Sequence, residues 1–153
     1  MPAMRILPAH LRSRRRRPDV GPLLDVPALA DAGPRRLADL VPHADRLRLP
    51  AGRTIARAGS TARELIVVVS GEAAVGSPDG RMAILPAGAE IGGHEVVARR
   101  PHLATVVSLT DIEVVVVNGP AVRWAHDEGL LRLSHREEET WNRSTWHSST
   151  RAA

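Results

Sequence analysis

The sequence contains no cysteine, no lysine, no phenylalanine and no tyrosine, and only three tryptophans. Without Cys there is no disulfide, no thiolate metal site and no Cys nucleophile, a composition compatible with a reducing compartment. The missing lysine means that all 21 basic residues are Arg. Together with the abundance of Ala this reads as the coding bias of a GC-rich bacterial genome, because a functional demand rarely empties a whole protein of Lys. No apolar run approaches the ~18 to 20 residues that span a bilayer. Asp19, Asp25, Asp31 and several prolines interrupt any signal-like segment near the start, so a cytoplasmic protein is expected.

What is present is one domain's worth of chain, 153 residues with 43% hydrophobic content. With so few aromatics, the core has to be filled by Val, Leu, Ile and Ala. The net charge of +4 is unevenly placed. Arg5, Arg12, Arg14, Arg15, Arg16 and Arg17 precede residue 18 with no acid among them, which leaves 15 Arg against 17 carboxylates in the rest. The high pI therefore describes an arm, and the body of the chain is close to neutral.

Residues 1–18 are expected to be a disordered Arg-rich arm, since RSRRRRP repels itself and offers no apolar face. Arg12 and Arg14 to Arg17 make it a candidate tether to nucleic acid or an anionic surface. A solvated tail is the simpler reading, because no aromatics interleave to stack on bases. Between residues 22 and 44 the pattern is helical: Leu23, Leu24, Val26 and Leu29 form one apolar stripe, Gly33-Pro34 restarts the helix, and Leu37, Leu40 and Val41 form a second. From residue 46 the period becomes two. Leu47 and Leu49 alternate with Arg46 and Arg48, and Thr54-Ile55-Ala56 follows a Pro-Ala-Gly turn. ELIVVVSG is a run expected to be buried on both faces. EAAVGS and RMAILP form a hairpin around Pro78-Asp79-Gly80, and LATVVSL and IEVVVVN supply two more strands. After Gly119-Pro120 a last helix begins, with Val122, Leu130, Leu131 and Leu133 apolar and Glu128 placed i, i+4 from Arg132. Trp124 belongs to core or interface, and residues 137–153 form a polar tail.

These elements predict a mainly β jelly roll or β-roll of about eight strands with short helices at both ends. Their order and residues resemble the cyclic nucleotide-binding domain of catabolite activator proteins, kinase regulatory subunits and gated channels. LPAGRTIARAGSTARELIVVVSGEAAV looks like that family's opening strands. Gly52, Gly59, Gly71, Glu72 and Gly88 match in register, as does the Ala104-Thr105-Val106 triplet. The resemblance runs over residues 23–133, within a domain drawn at 19–136. It implies a phosphate-binding cassette between two strands, in which a Gly-Glu pair and an Arg, followed by a small hydroxyl residue and Ala, hold a cyclic nucleotide. The Glu takes the ribose hydroxyl and the Arg pairs with the phosphate.

Carried over residue by residue, the cassette here departs from that pattern. The Glu position is Gly93, the Arg position is His102 and the hydroxyl position is Leu103; Gly92, Ala104 and Thr105 remain. Hydrogen bonds to charged partners are worth roughly 1.5 to 3 kcal/mol each, so two lost contacts cost about 3 to 6 kcal/mol. That corresponds to roughly two to four orders of magnitude in affinity. Imidazole also lacks the permanent bidentate charge of guanidinium. Local compensation is open to the amides of residues 92–95, to His94 and His102 when protonated, and to Glu95 reaching a hydroxyl. Against it stand the charge of Glu95 and the apolar Leu103.

The expected function is a non-catalytic regulatory or interaction module without ordinary cAMP or cGMP binding and without a resident cofactor. It would act through an altered ligand, or through a protein partner or self-association on the barrel face and last helix. Its degenerate pocket would comprise Gly92, Gly93, His94, Glu95, His102, Leu103, Ala104 and Thr105. The alternatives are a genuine cyclic-nucleotide receptor with a reshaped pocket, and a nucleic-acid accessory protein working through the arm. A cupin-like metal site at His94, Glu95 and His102 comes last, because ligands at fixed short spacing are missing. No G-x-S-x-G elbow, P-loop or G-x-G-x-x-G occurs. The roughly 30 residues after Asn118 are too few for a helix-turn-helix domain beside the barrel's own helices.

Overall fold

The computed structural model describes residues 21–133, so the Arg-rich arm and the polar tail lie outside the described residues. Four α-helices, α1 (Gly21–Leu24), α2 (Pro34–Leu40), α3 (Gly93–Ala98) and α4 (Gly119–Asp127), accompany eight strands. The strands are β1 (Ala44–Leu49), β2 (Thr54–Ala56), β3 (Glu64–Ser70), β4 (Ala73–Gly76), β5 (Met82–Leu85), β6 (Glu90–Ile91), β7 (Thr105–Ser108) and β8 (Ile112–Asn118). They form two four-stranded antiparallel sheets, ordered β1-β8-β3-β6 and β2-β7-β4-β5. This is the mainly β roll predicted from the pattern.

The two long Val-rich strands are apolar at every central position because each face of their sheet has its own core. Leu65 and Val67 of β3, with Val115 and Val117 of β8, join a cluster with Leu23, Leu37, Leu40 and Val122 from the helices. Their neighbours Ile66, Val68, Val114 and Val116 point the other way and meet Ala73, Val75, Leu85, Ile91 and Val106 between the sheets. Each such side chain contributes roughly 1.5 to 3 kcal/mol on burial, which places β3 and β8 at the centre of the fold. Trp124 packs half-buried on the helical cluster, as core.

The hairpin expected at Pro78-Asp79-Gly80 is present. Gly76 pairs with Met82, Gly80 adopts a left-handed φ of 86°, and Asp79 accepts from the Ser77 hydroxyl and the Arg81 amide. Gly71 ends β3 where only a glycine fits: a Cβ there would lie 2.5 Å from the Asp111 carbonyl oxygen, and its φ is 87°. Ser108, fully buried, donates to the Pro50 carbonyl at 2.7 Å and accepts from the Arg53 amide at 2.9 Å, pinning the turn before β2.

Several expected details differ. Leu24 is 68% exposed and drops out of the first apolar stripe, because α1 ends there and a 3-10 turn at Pro27–Leu29 takes over the packing. Leu47 is 44% exposed: β1 is an edge strand paired only with β8, and the leucine alternation finds no second layer to bury it. The pair expected between Glu128 and Arg132 does not form. Gly129, at φ 71°, ends α4, so Glu128 pairs instead with Arg36 at 3.5 Å and Arg132 with Asp31 at 3.1 Å. Among the described residues no helix is long and apolar enough to cross a membrane.

Candidate functional site

The stretch between β5 and β7 is positioned by β3. Gly88 donates to the Val68 carbonyl at 2.7 Å, Val68 donates to the Ala89 carbonyl, and Ile91 pairs with Ile66 to make β6. Gly92 then adopts a left-handed conformation (φ 79°, ψ 0°) and caps α3, which the resemblance implied only as the place for a cassette. The helix ends on Arg99, also left-handed at φ 55° though not glycine. The Arg100 amide donates to the Glu95 carbonyl at 2.8 Å and closes the turn. Such a conformation at a residue that carries a Cβ is strained by about 1 kcal/mol or more and has to be held by its surroundings. Pro101 supplies the hold, bridging to Thr61 as the chain returns to the β2–β3 loop.

That loop and the end of the cassette are stitched together by backbone bonds. His102 donates to the Ser60 carbonyl at 2.8 Å and accepts from Gly59 at 2.8 Å, while the Thr105 hydroxyl accepts from the Ala58 amide at 3.1 Å. Thr105 is thus engaged as a structural acceptor. Ala104 is buried in the inter-sheet core, and Leu103 projects outward, 60% exposed.

Gly92 and His102 are brought into contact: a Cβ on Gly92 would lie 2.9 Å from the His102 ring and 2.9 Å from the Glu64 carbonyl oxygen. Gly93 faces elsewhere. A Cβ at that position would meet Leu133 at 2.6 Å and Leu65 at 3.1 Å, so the surroundings of residue 93 are apolar and already filled. Glu95 is 5% exposed on the same helix and has little open surface to offer a ligand, and His94 is half-buried. The predicted set therefore divides. Gly92 and His102 meet, Gly93 and Glu95 turn inward, Thr105 serves the loop and Leu103 faces solvent.

Leu133 lies outside the predicted site set, and its spacing predicts a place on the last helix's apolar face. With α4 ending at Asp127, residues 130–133 run back across the domain. Arg132 donates its amide to the Ala28 carbonyl at 2.8 Å, Leu131 is buried, and Leu133 reaches Gly93. The signal for it in the sequence was Gly129, which stops a helix that the leucines alone would prolong. No group of three or more His, Cys, Asp or Glu converges among the described residues.

Two sheets rolled around an aliphatic core, with a Gly-capped helical turn inserted between β6 and β7, define a two-sheet β-roll with flanking helices. The family model described as cyclic nucleotide-binding domain matches residues 46–128, and the chain belongs to that family. Comparison with curated proteins returns no match. Among solved structures the chain is similar to the regulatory subunit of a cAMP-independent protein kinase A from Trypanosoma brucei (20% identity, TM-score 0.63). That alignment covers 76% of this chain and 44% of the other. A mutant of that subunit bound to cAMP in its A site aligns with 20% identity and a TM-score of 0.61 over 73% and 42%. A cyclic nucleotide-binding-like protein from Brucella abortus aligns with 26% identity and a TM-score of 0.57 over 71% and 97%. The chain spans about half or less of the length of the first structures it matches.

Proposed function

We propose that this chain is a non-catalytic regulatory module whose cassette does not take cAMP or cGMP in the family's ordinary way, and that it acts through an altered ligand or a protein partner. The observation that carries this reading is the surroundings of Gly93. The resemblance puts the ribose-binding carboxylate there, yet a Cβ at this position would have to push the Leu133 side chain aside and would crowd Leu65. A carboxylate turned into that apolar contact would be buried without a partner, at a cost of several kcal/mol. At the phosphate end His102 replaces guanidinium and lies against Gly92, which removes the bidentate donor pair.

The similarity to the regulatory subunit of a cAMP-independent protein kinase A supports the reading. In this reading the domain runs over residues 19–136, between an Arg-rich arm and a polar tail, and acts through the barrel face and α4. Isothermal titration of the full chain with cAMP and cGMP is expected to show no saturable heat at micromolar concentrations. A Kd tighter than about 10 μM for either nucleotide would reject the proposal.

A further inference from the structure

A second cleft, of about 380 Å³, is lined by β2, the first residues of β3 and the loop that joins them. Of the cassette only His102 reaches it; its other polar lining comes from Thr54, Arg57, Ser60, Thr61, Arg63 and Glu64. Ala56 and Ile66, both of the inter-sheet core, give it an apolar floor. A volume of this order suits a small organic ligand.

Of the Arg residues described, four are ion-paired, and two of the others line this cleft together. Arg36, Arg46, Arg81 and Arg132 each sit against a carboxylate. Arg57 and Arg63 have no ion-pair partner among the described residues, although they line one cavity together. Two guanidinium groups left unpaired across one concave surface repel each other and raise the local positive potential. An anion entering between them relieves that repulsion and meets planar donor forks suited to phosphate oxygens.

The backbone that carries them is held from several sides. The Ser60 amide and hydroxyl both donate to the Arg57 carbonyl, at 3.1 and 2.6 Å. Gly59 and Ser60 pair with His102, and Ala58 donates to Thr105. A loop tied at four consecutive residues loses little further entropy when a ligand arrives, which favours binding. The Thr61 hydroxyl and the His102 ring add polar groups to the same wall, and Glu64, the one carboxylate of the lining, presents an acceptor to a hydroxyl or amino group.

We infer that this cleft is a binding site for a phosphorylated small molecule. Arg57 and Arg63 take the phosphate, and Glu64 accepts a hydroxyl or amino hydrogen bond from the rest of the ligand. The inference deepens the altered-ligand reading above and rests on it. It also moves recognition from the cassette to the neighbouring loop.

The test is isothermal titration of the full chain with inorganic phosphate, pyrophosphate, AMP and cAMP, at low and at high salt. AMP is expected to bind more tightly than inorganic phosphate, because only AMP engages Glu64 and the apolar floor. Arg57→Gln and Arg63→Gln should each weaken AMP by about tenfold or more. Arg81→Gln, the same charge change on the remote β4–β5 hairpin, should leave it unchanged, and added salt should weaken binding. Circular dichroism and melting temperature establish that each variant is folded. No saturation by phosphate, pyrophosphate or AMP up to about 10 mM overturns the cleft and leaves the regulatory reading standing. Equal weakening by Arg81→Gln overturns it too, since binding then follows net charge alone. Saturation by cAMP below about 10 μM that is insensitive to Arg57→Gln overturns the regulatory reading instead.

Discussion

A glycine at position 93 sits with the side chain of Leu133 where its own side chain would stand, so the exchange from the family's Glu is steric as well as chemical. Gly93→Glu is therefore expected to destabilise the domain by about 1 to 3 kcal/mol through overpacking and burial of a carboxylate. Leu133→Ala, which opens the contact, should make the same change less costly. A double-mutant cycle by urea denaturation checks this, and simple additivity of the two substitutions would show that residues 93 and 133 do not touch. Restoring Glu and Arg at positions 93 and 102 together should fail to create cAMP binding while Leu133 remains. The departures at Gly93, His102 and Leu103 were all legible in the sequence, because the glycine turns around them keep the register. Their neighbours were not, because Leu133 lies 40 positions away from Gly93 along the chain and only the turn at Gly129 brings it back.

At the scale of single elements, the β4–β5 hairpin shows local chemistry deciding local structure. Asp-Gly announced the turn, and Gly80 at positive φ with Asp79 bonded to Ser77 and Arg81 delivers it. The Ser77 hydroxyl, then the Arg81 amide, hold the Asp79 carboxyl below the ordinary carboxylate range. A depressed folded pKa stabilises above the unfolded value, and that contribution is lost as pH falls through the folded one. Asp79→Asn should consequently lower the melting temperature slightly at neutral pH, and the difference between variant and parent should close as the pH falls through and below the ordinary carboxylate range. A difference that persists unchanged in acid would assign the effect to packing. Helix α3 and strand β6 are the opposite case. Two residues of strand and a six-residue helix are too short to leave a periodic signature, and both exist because β3 supplies a partner edge and α4 a packing face.

Across the whole molecule, the segment after α4 joins the two ends of the described domain. Leu131 enters the helical core, and Arg132 bonds the Ala28 carbonyl and pairs with Asp31. Leu131→Ala is expected to cost about 2 to 4 kcal/mol, as large-to-small changes in a core do. Arg132→Ala should cost less than about 1 kcal/mol, because the ion pair is exposed and the amide bond survives the substitution. Chemical denaturation of both variants checks the ranking. An Arg132 variant as damaging as the Leu131 variant would make the ion pair, and not the leucine, the element that holds the ends together.

Residue order alone determined the class of fold. Alternating and continuous runs of Val, Ile and Leu, punctuated by glycine turns, admit a two-sheet roll flanked by helices and little else, because strand period and turn chemistry are local properties. Set against the resemblance, residue order also implies that the cassette lacks its two charged side chains. Only the tertiary structure decided where the remaining groups go. Leu133 covers Gly93, His102 rests on Gly92, and Arg57 and Arg63 share a cleft beside β2. These are contacts between residues distant in the chain or on opposite sides of a turn. They depend on how α4 ends and on how the β2–β3 loop docks on the cassette, which no local pattern encodes.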